Sequence, residues 1–306
     1  LTKVSHIFDK KLLLFSFRKS ACFDGAEDDR NAGIKKICYS KRMEKDAIAK
    51  GHLHPITQTI REISATLADL GFETAQGPEL ESEFYNFDAL NIPKDHPSRD
   101  MQDTFWLKDG DEKRGENKSY TEKKTSTRRL LTTQTSAIQI RYMEEKIKAG
   151  LKPPFRVMAP GKVFRNEATD ATHEAQFFQL EGLLVDKKVS LADLKGTLEK
   201  VFKKLFGENS EIRFRPSYFP FVEPAVEVDV KWHTEGDAEK GQEGRWLEVL
   251  GAGLVHPNVF RAVGIDPAQW QGFAFAFGID RIVMLKYGID DIRLLYSGDL
   301  RFVNQF

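Results

Sequence analysis

The sequence predicts an α+β fold in which an antiparallel β-sheet is flanked by helices. Three observations lead there. Amphipathic helical stripes occur at three separated places, several β-patterned runs follow one another with no helix between them, and Pro and Gly turns punctuate those runs. Parallel neighbours need crossovers of a dozen or more residues, so successive strands without them favour antiparallel pairing.

The first clear helix opens at Pro55. Its apolar stripe is Ile56, Ile60, Ile63, Leu67 and Leu70, the 3.6-residue period of a half-buried helix, and Gly71 is placed to close it in a left-handed cap. A second is announced by Thr135 and Ser136 and runs through Ile140, Met143 and Ile147 to Gly150. The third has Ser190 as N-cap and Asp193 at the capping-box position, with a stripe from Leu191 to Leu205 and a stop at Gly207. Among the strands, Val226, Val228, Val230 and Trp232 alternate with Glu227, Asp229 and Lys231, a period of two. Runs at 156–159, 162–167, 175–185, 211–215, 246–252 and 272–277 read the same way. Residues 1–50 show no sustained periodicity and receive no function; the patterned segments all fall within residues 51–306.

Composition excludes several classes. The 306 residues carry 46 Lys plus Arg against 46 Asp plus Glu, so a polybasic nucleic-acid coat is not expected. Two cysteines, Cys22 and Cys38, build neither a disulfide framework nor a Cys-rich zinc site. The run Leu12–Phe17 is too short for a membrane span and lacks a clean cleavage pattern. A cytoplasmic location and no membrane partner are the expectation. The segment 108–129 holds eight basic and five acidic residues, and reads as a solvated charged loop or a polyanion contact.

Nucleotide motifs of the common kinds are missing. No Gly-x-x-x-x-Gly-Lys-Ser/Thr loop and no strand–Gly-x-Gly-x-x-Gly–helix unit occurs. His52-x-His54 has the look of a metal pair, but without a third ligand nearby it reads as polar loop before a helix. What stands out is Val163-Phe164-Arg165-Asn166-Glu167, then Thr172-His173-Glu174 and Phe177-Phe178-Gln179-Leu180-Glu181-Gly182. On a strand, Arg165 and Glu167 would share one face. A lone Arg-x-Glu is usually a surface ion pair of little consequence. It gains weight from Gly272-Phe273-Ala274-Phe275-Ala276-Phe277-Gly278-Ile279-Asp280-Arg281, a small-residue strand leading into a helix with a second arginine. Two arginines can clamp phosphate oxygens bidentately.

From about His52 to Phe306 the chain resembles the bacterial-type phenylalanyl α-subunit family of class II aminoacyl-tRNA synthetases. Residues 77–106, with Gly77-Pro78-Glu79 and Phe84–Pro93, match the family's first motif region; 163–182 match its second and 272–281 its third. Tyr218-Phe219-Pro220-Phe221-Val222-Glu223-Pro224 matches its amino-acid pocket. The resemblance implies ATP-dependent activation of L-phenylalanine and transfer to tRNA-Phe, within an α₂β₂ heterotetramer formed with a β subunit.

It also implies roles. Arg165 would hold the α-phosphate of ATP, with Glu167 beside it and Arg281 toward the γ-phosphate. His173 would assist at the triphosphate and Phe177 would stack under adenine. Ser136, Gln139, Gln179 and Glu181 would anchor the substrate's ammonium and carboxylate. Phe219 and Phe221 would receive the substrate ring between them, edge to face, with Val222 and Ala274 lining the pocket and Ala274 limiting its depth. Glu223 would take part in a Mg²⁺ site shared with the β subunit. The bland reading of Phe219 and Phe221 alone is core packing. Two positions depart from the family pattern: Gln134 stands where His is usual, and Ala276 where the third motif begins with Gly. They motivate the rival reading, a non-charging paralogue that binds an amino acid or RNA. A class II ligase for another large apolar amino acid is the other rival.

Overall fold

The computed structural model describes residues 51–100, 103–108, 128–232 and 244–306. The segment 1–50 and most of the charged stretch, 109–127, lie outside them. Seven strands make the main sheet: β1 (Glu73–Thr74), β4 (Phe155–Phe164), β5 (Gln176–Asp186), β6 (Ile212–Phe219), β7 (Val222–Trp232), β8 (Arg245–Val255) and β9 (Gln271–Gly278). Their spatial order is β1-β4-β5-β9-β8-β7-β6. All neighbours are antiparallel except β1, which pairs parallel to β4. A separate ribbon joins β2 (Leu80–Ser82) to β3 (Arg129–Leu131).

The three helices read from periodicity form as α1 (Pro55–Asp69), α3 (Ala137–Lys148) and α4 (Leu191–Phe206). Each ends as its sequence dictates. Gly71 takes φ 83° after α1, and Ser190 with Asp193 makes the reciprocal capping box of α4. His54 is the N-cap of α1, its Nδ1 accepting from the Ile56 amide at 3.2 Å, which answers the metal-pair question with the bland reading. The remaining helices are short: α2 (Glu83–Asn86), α5 (Pro257–Ala262), α6 (Ile279–Tyr287) and α7 (Leu300–Val303).

Two layers of apolar packing divide the sheet. Ile63 and Leu67 of α1, Leu198 and Phe202 of α4, and Ile282 and Val283 of α6 bury one face. On the other, Phe87, Leu90, Ile140 and Met143 cover only one end, leaving the rest open as a cleft. Strand β9 shows how the two faces are written. Phe273, Phe275 and Phe277 point into the helical layer, while Ala274, Ala276 and Gly278 line the cleft. Large residues on one side fill the core; small ones on the other leave space for a ligand.

The structure corrects one local expectation. The runs 156–159 and 162–167 are a single strand, β4, which ends at Phe164. Arg165 and Glu167 therefore sit in the loop beyond it, not on one strand face. The Arg165 amide still donates to the Ala175 carbonyl at 2.9 Å, so the loop's base stays pinned.

Candidate active site

The cleft has a volume of about 970 Å³ and lies over β5, β9 and β8. Register lays its floor: Gln179 opposes Gly278, Glu181 opposes Ala276, and Ala276 opposes Gly251. Of the residues singled out from sequence, Ser136, Arg165, Glu167, His173, Phe177, Gln179, Glu181, Phe219, Phe221, Val222, Ala274 and Arg281 all line it. Gln139 stands behind the floor, and Glu223 lies outside.

One end is closed and anionic. Glu181 is 3% exposed, with no cation paired to it among the described residues. Thr135 Oγ1 and Ser136 Oγ donate to its Oε2 at 3.1 and 3.0 Å, and Gln139 Nε2 donates to Oε1. Burial pushes the carboxyl up to about 7, against the pull of these three donors. Gln179 Oε1 accepts from the Thr135 amide at 3.2 Å, so it holds the same turn. A buried carboxylate served only by neutral donors is poised for a cationic ligand, which would supply the missing charge.

The adjoining wall is aromatic. Phe219 rests over Gly251, where any Cβ would stand 2.8 Å from the ring. Val222 similarly needs Gly253, whose added Cβ would lie 2.8 Å from the valine Cβ. The Phe219 and Phe221 rings are near-parallel, 21° apart in plane with centroids at 6.0 Å. That spacing is less than the ~7 Å a third ring stacked face to face between them would need, so the pair presents one wall, which a ligand ring would meet edge-on or flat. Ala274, 3% exposed, stands at the buried end of this wall.

The other end is open and cationic. Arg165 is half-buried, its guanidinium 5.0 Å from the Phe177 centroid, with Nε donating to the Thr133 carbonyl at 3.3 Å. Glu167 lies 3.9 Å from its Nη1, a loose pair. Desolvation lowers the guanidinium's pKa, yet arginine keeps its charge in proteins. His173 is exposed and held through Nδ1 by Asp170, 3.0 Å away, in a turn closed by the Thr172 and His173 amides. Those bonds hold the Asp170 carboxyl well below the usual range. Arg281, in the first turn of α6, has no side-chain partner among the described residues and faces the cleft.

Several cleft residues were not read from sequence. Asp280 is buried beside Arg281, accepting from the Phe178 amide at 2.7 Å and from the Tyr296 hydroxyl. Burial raises its pKa, and its bonds tie α6 to β5. Glu248 on the cleft wall and Thr135, which stands behind it on Glu181, were likewise not singled out as site residues. A hydroxyl pair at a predicted helix start was the available signal for Thr135; Glu248 looked like any outward strand residue.

The two departures from the family pattern have local explanations. Gln134 Nε2 donates to the Asn86 carbonyl at 3.0 Å, so its neutral amide does a fastening task. Ala276 has ordinary extended backbone in β9: Asn91 is the single non-glycine residue at positive φ among the described residues. Nothing in its conformation calls for glycine. Glu223 is exposed, with His256 Nε2 3.5 Å from its carboxylate.

Comparison with known proteins agrees with this arrangement. The family model described as tRNA synthetases class II core domain (F) matches residues 39–306. The phenylalanine–tRNA ligase alpha subunit of Bacillus subtilis is 48% identical over 261 residues, covering 85% of this chain and 70% of that protein. The alpha subunit from Proteus mirabilis is 49% identical over 259 residues, 85% of this chain and 69% of the relative. That from Bacillus licheniformis is 46% identical over 283 residues, 92% and 76% respectively. With identity near one half across the cleft-bearing region and a matching core domain, the chain belongs to the phenylalanine–tRNA ligase alpha-subunit family of class II aminoacyl-tRNA synthetases.

Proposed function

We propose that the cleft activates L-phenylalanine with ATP and passes the phenylalanyl group to tRNA-Phe. The observation that carries this reading is Glu181: a buried carboxylate without a cation among the described residues, in one cleft with an aromatic wall and two arginines. That polarity matches a zwitterionic aromatic amino acid reacting with a polyphosphate. The ammonium goes to Glu181, with Gln179, Ser136 and Gln139 around it. The ring lies against Phe219 and Phe221, with Val222 beside it and Ala274 beneath.

The chemistry needs no enzyme nucleophile. A carboxylate oxygen of phenylalanine attacks the α-phosphorus, the bond to the bridging oxygen breaks, and pyrophosphate leaves with that electron pair. Arg165 neutralises charge growing on the α-phosphate, with Glu167 steering it. Arg281 and His173 receive the departing pyrophosphate, and Phe177 gives adenine an apolar face. Catalysis is then positioning and charge stabilisation. In the second step a terminal ribose 2′-hydroxyl attacks the acyl carbon and AMP departs.

A β subunit completes the assembly as α₂β₂ in this reading, since the relatives are named alpha subunits. Mg²⁺ belongs here as well. Glu223 offers one exposed carboxylate, and the described residues contain no group of three His, Cys, Asp or Glu that would hold a metal. One carboxylate suits an ion that keeps most of its waters, so Glu223 fits as one ligand of a Mg²⁺ shared between subunits. A bound ion there would supply a cross-link between chains. Among the described residues no helix is long and apolar enough to cross a membrane.

The test is phenylalanine-dependent exchange of pyrophosphate into ATP, using the chain co-expressed with its β subunit. Exchange with phenylalanine well above that with tyrosine or tryptophan is expected. Binding of phenylalanine without any exchange would instead support the non-charging paralogue.

A further inference from the structure

Asn86 is completely buried at the end of α2, yet it lines no part of the cleft. Its side chain is fully committed to one short segment. Nδ2 donates to Thr133 Oγ1 at 2.9 Å, and Oδ1 accepts from the Thr133 backbone amide at 3.2 Å. The Thr132 hydroxyl lies 3.2 Å from Oδ1 and shares its one proton with the Gln134 carbonyl, 3.0 Å away. The Asn86 backbone carbonyl accepts from the Gln134 side-chain Nε2 at 3.0 Å. Three consecutive residues are thus fastened to one asparagine.

That segment serves both ends of the cleft. The Thr133 carbonyl accepts from Arg165 Nε, and two residues on, Thr135 and Ser136 present their hydroxyls to Glu181. The segment is irregular: β3 ends at Leu131 and α3 begins at Ala137. Backbone bonds hold its two ends, Thr132 to Glu79 and Phe164, and Thr135 and Ser136 to the first turn of α3, whereas Thr133 and Gln134 between them are held by side-chain bonds. Ser136 donates to Glu181 and gives α3 no side-chain cap.

We propose that Asn86 is a positioning residue for amino-acid activation: it holds the 132–136 segment so that hydroxyls reach Glu181 and the Thr133 carbonyl reaches Arg165. The inference rests on the proposed role of Glu181 as the ammonium site. An amide is needed because one end must donate and the other accept. Aspartate can keep only the accepting bonds and would bury a charge; alanine loses every side-chain bond.

The consequence is specific to Glu181. Its neighbours on β4 and β9 are Ala159 and Ala276, and its donors on the α3 side are uncharged. With no ionised group among the described residues facing it, the hydroxyls and Gln139 are what favour its charged form. Letting the segment drift weakens them, so the carboxyl should titrate at higher pH.

The experiment compares wild type, Asn86→Ala, Thr133→Val and Thr133→Ser, each co-expressed with the β subunit. It measures pyrophosphate exchange across pH and thermal unfolding. Asn86→Ala should raise the KM for phenylalanine tenfold or more, with a smaller change in the KM for ATP. The pH midpoint of the phenylalanine KM should move upward. Thr133→Val, which keeps shape but removes the hydroxyl Asn86 donates to, should move both readouts the same way by less. Thr133→Ser should recover most of that loss. A lowered unfolding temperature with unchanged KM and pH midpoint in Thr133→Val and Asn86→Ala would overturn the proposal, leaving Asn86 merely structural. If Asn86→Ala fails to fold, the Val and Ser pair at position 133 decides alone. Absence of phenylalanine-dependent exchange in wild type would refute the functional reading itself, a distinguishable result.

Discussion

The two ends of the cleft are built on opposite plans. At the closed end, proposed for the amino acid, Glu181 is sealed in the sheet and surrounded by three fixed neutral donors. At the open end, proposed for the nucleotide, His173 is exposed and Arg281 has no side-chain partner among the described residues. The contrast has a physical basis. A small ligand must be recognised by a few groups, so they are preorganised and desolvated, and each interaction is strong. A triphosphate would bring abundant charge of its own, so in the proposed reading two cleft-facing arginines suffice to meet it. The closed end suits selection and the open end suits turnover.

Arg165→Ala tests the cationic end where the two plans meet. It removes both the phosphate contact and the bond to Thr133, and exchange should fall about 10²–10³-fold. Arg281→Ala, lacking such a bond, should cost less, chiefly in the KM for ATP. Equal losses for both arginines in steady-state exchange would erase the distinction.

Glu181→Gln probes the closed end. The amide keeps the shape but cannot offset an ammonium, and kcat/KM for phenylalanine should drop about a hundredfold, the scale of a charge-assisted bond of ~3 kcal/mol. Its thermal stability without substrate should hold or rise, because a buried carboxyl is gone. A markedly less stable variant would mean that Glu181 is a folding element.

Acidity separates the ends further. Binding an ammonium needs ionised Glu181, so the KM for phenylalanine should climb up to about tenfold per unit as pH falls below about 7. Folding raises this carboxyl above its ordinary value. Its contribution to stability is therefore present at low pH and is lost as pH rises through about 7. Wild type should lose melting temperature relative to Glu181→Gln over that interval. A flat difference would show that the carboxyl titrates in its ordinary range.

The smallest expected effect concerns the floor of the aromatic pocket. Ala274→Gly should shift the exchange ratio of para-chlorophenylalanine to phenylalanine several-fold toward the halogenated substrate, since one methyl bounds the depth. An unmoved ratio would place the ring's para position elsewhere.

Much of this was legible in the chain because the signals were local. The stripe from Ile56 to Leu70, the Ser190–Asp193 box and the Phe-small alternation of 273–278 each specify an element and its buried face. The cleft residues were reached through the family resemblance, and nearly all of them line one cavity. Less accessible were features that depend on meeting across the fold. The strand face expected for Arg165 and Glu167 dissolved at Phe164, where β4 ends and the loop begins. The stacking of Phe219 on Phe221 follows a register shift in the β6–β7 pair, invisible in a list of residues.

By itself, then, the sequence determined the α+β class, the helix ends, the alternation that sets small residues beneath the cleft, and the family. These are properties of neighbours along the chain, governed by periodicity and capping. Tertiary structure alone decided that Glu181 has no countercharge among the described residues and that Asn86, 46 to 48 positions before its partners, fastens the segment between the two ends of the cleft. Desolvation and hydrogen-bond partnership depend on what the rest of the molecule brings near, and no local pattern encodes them.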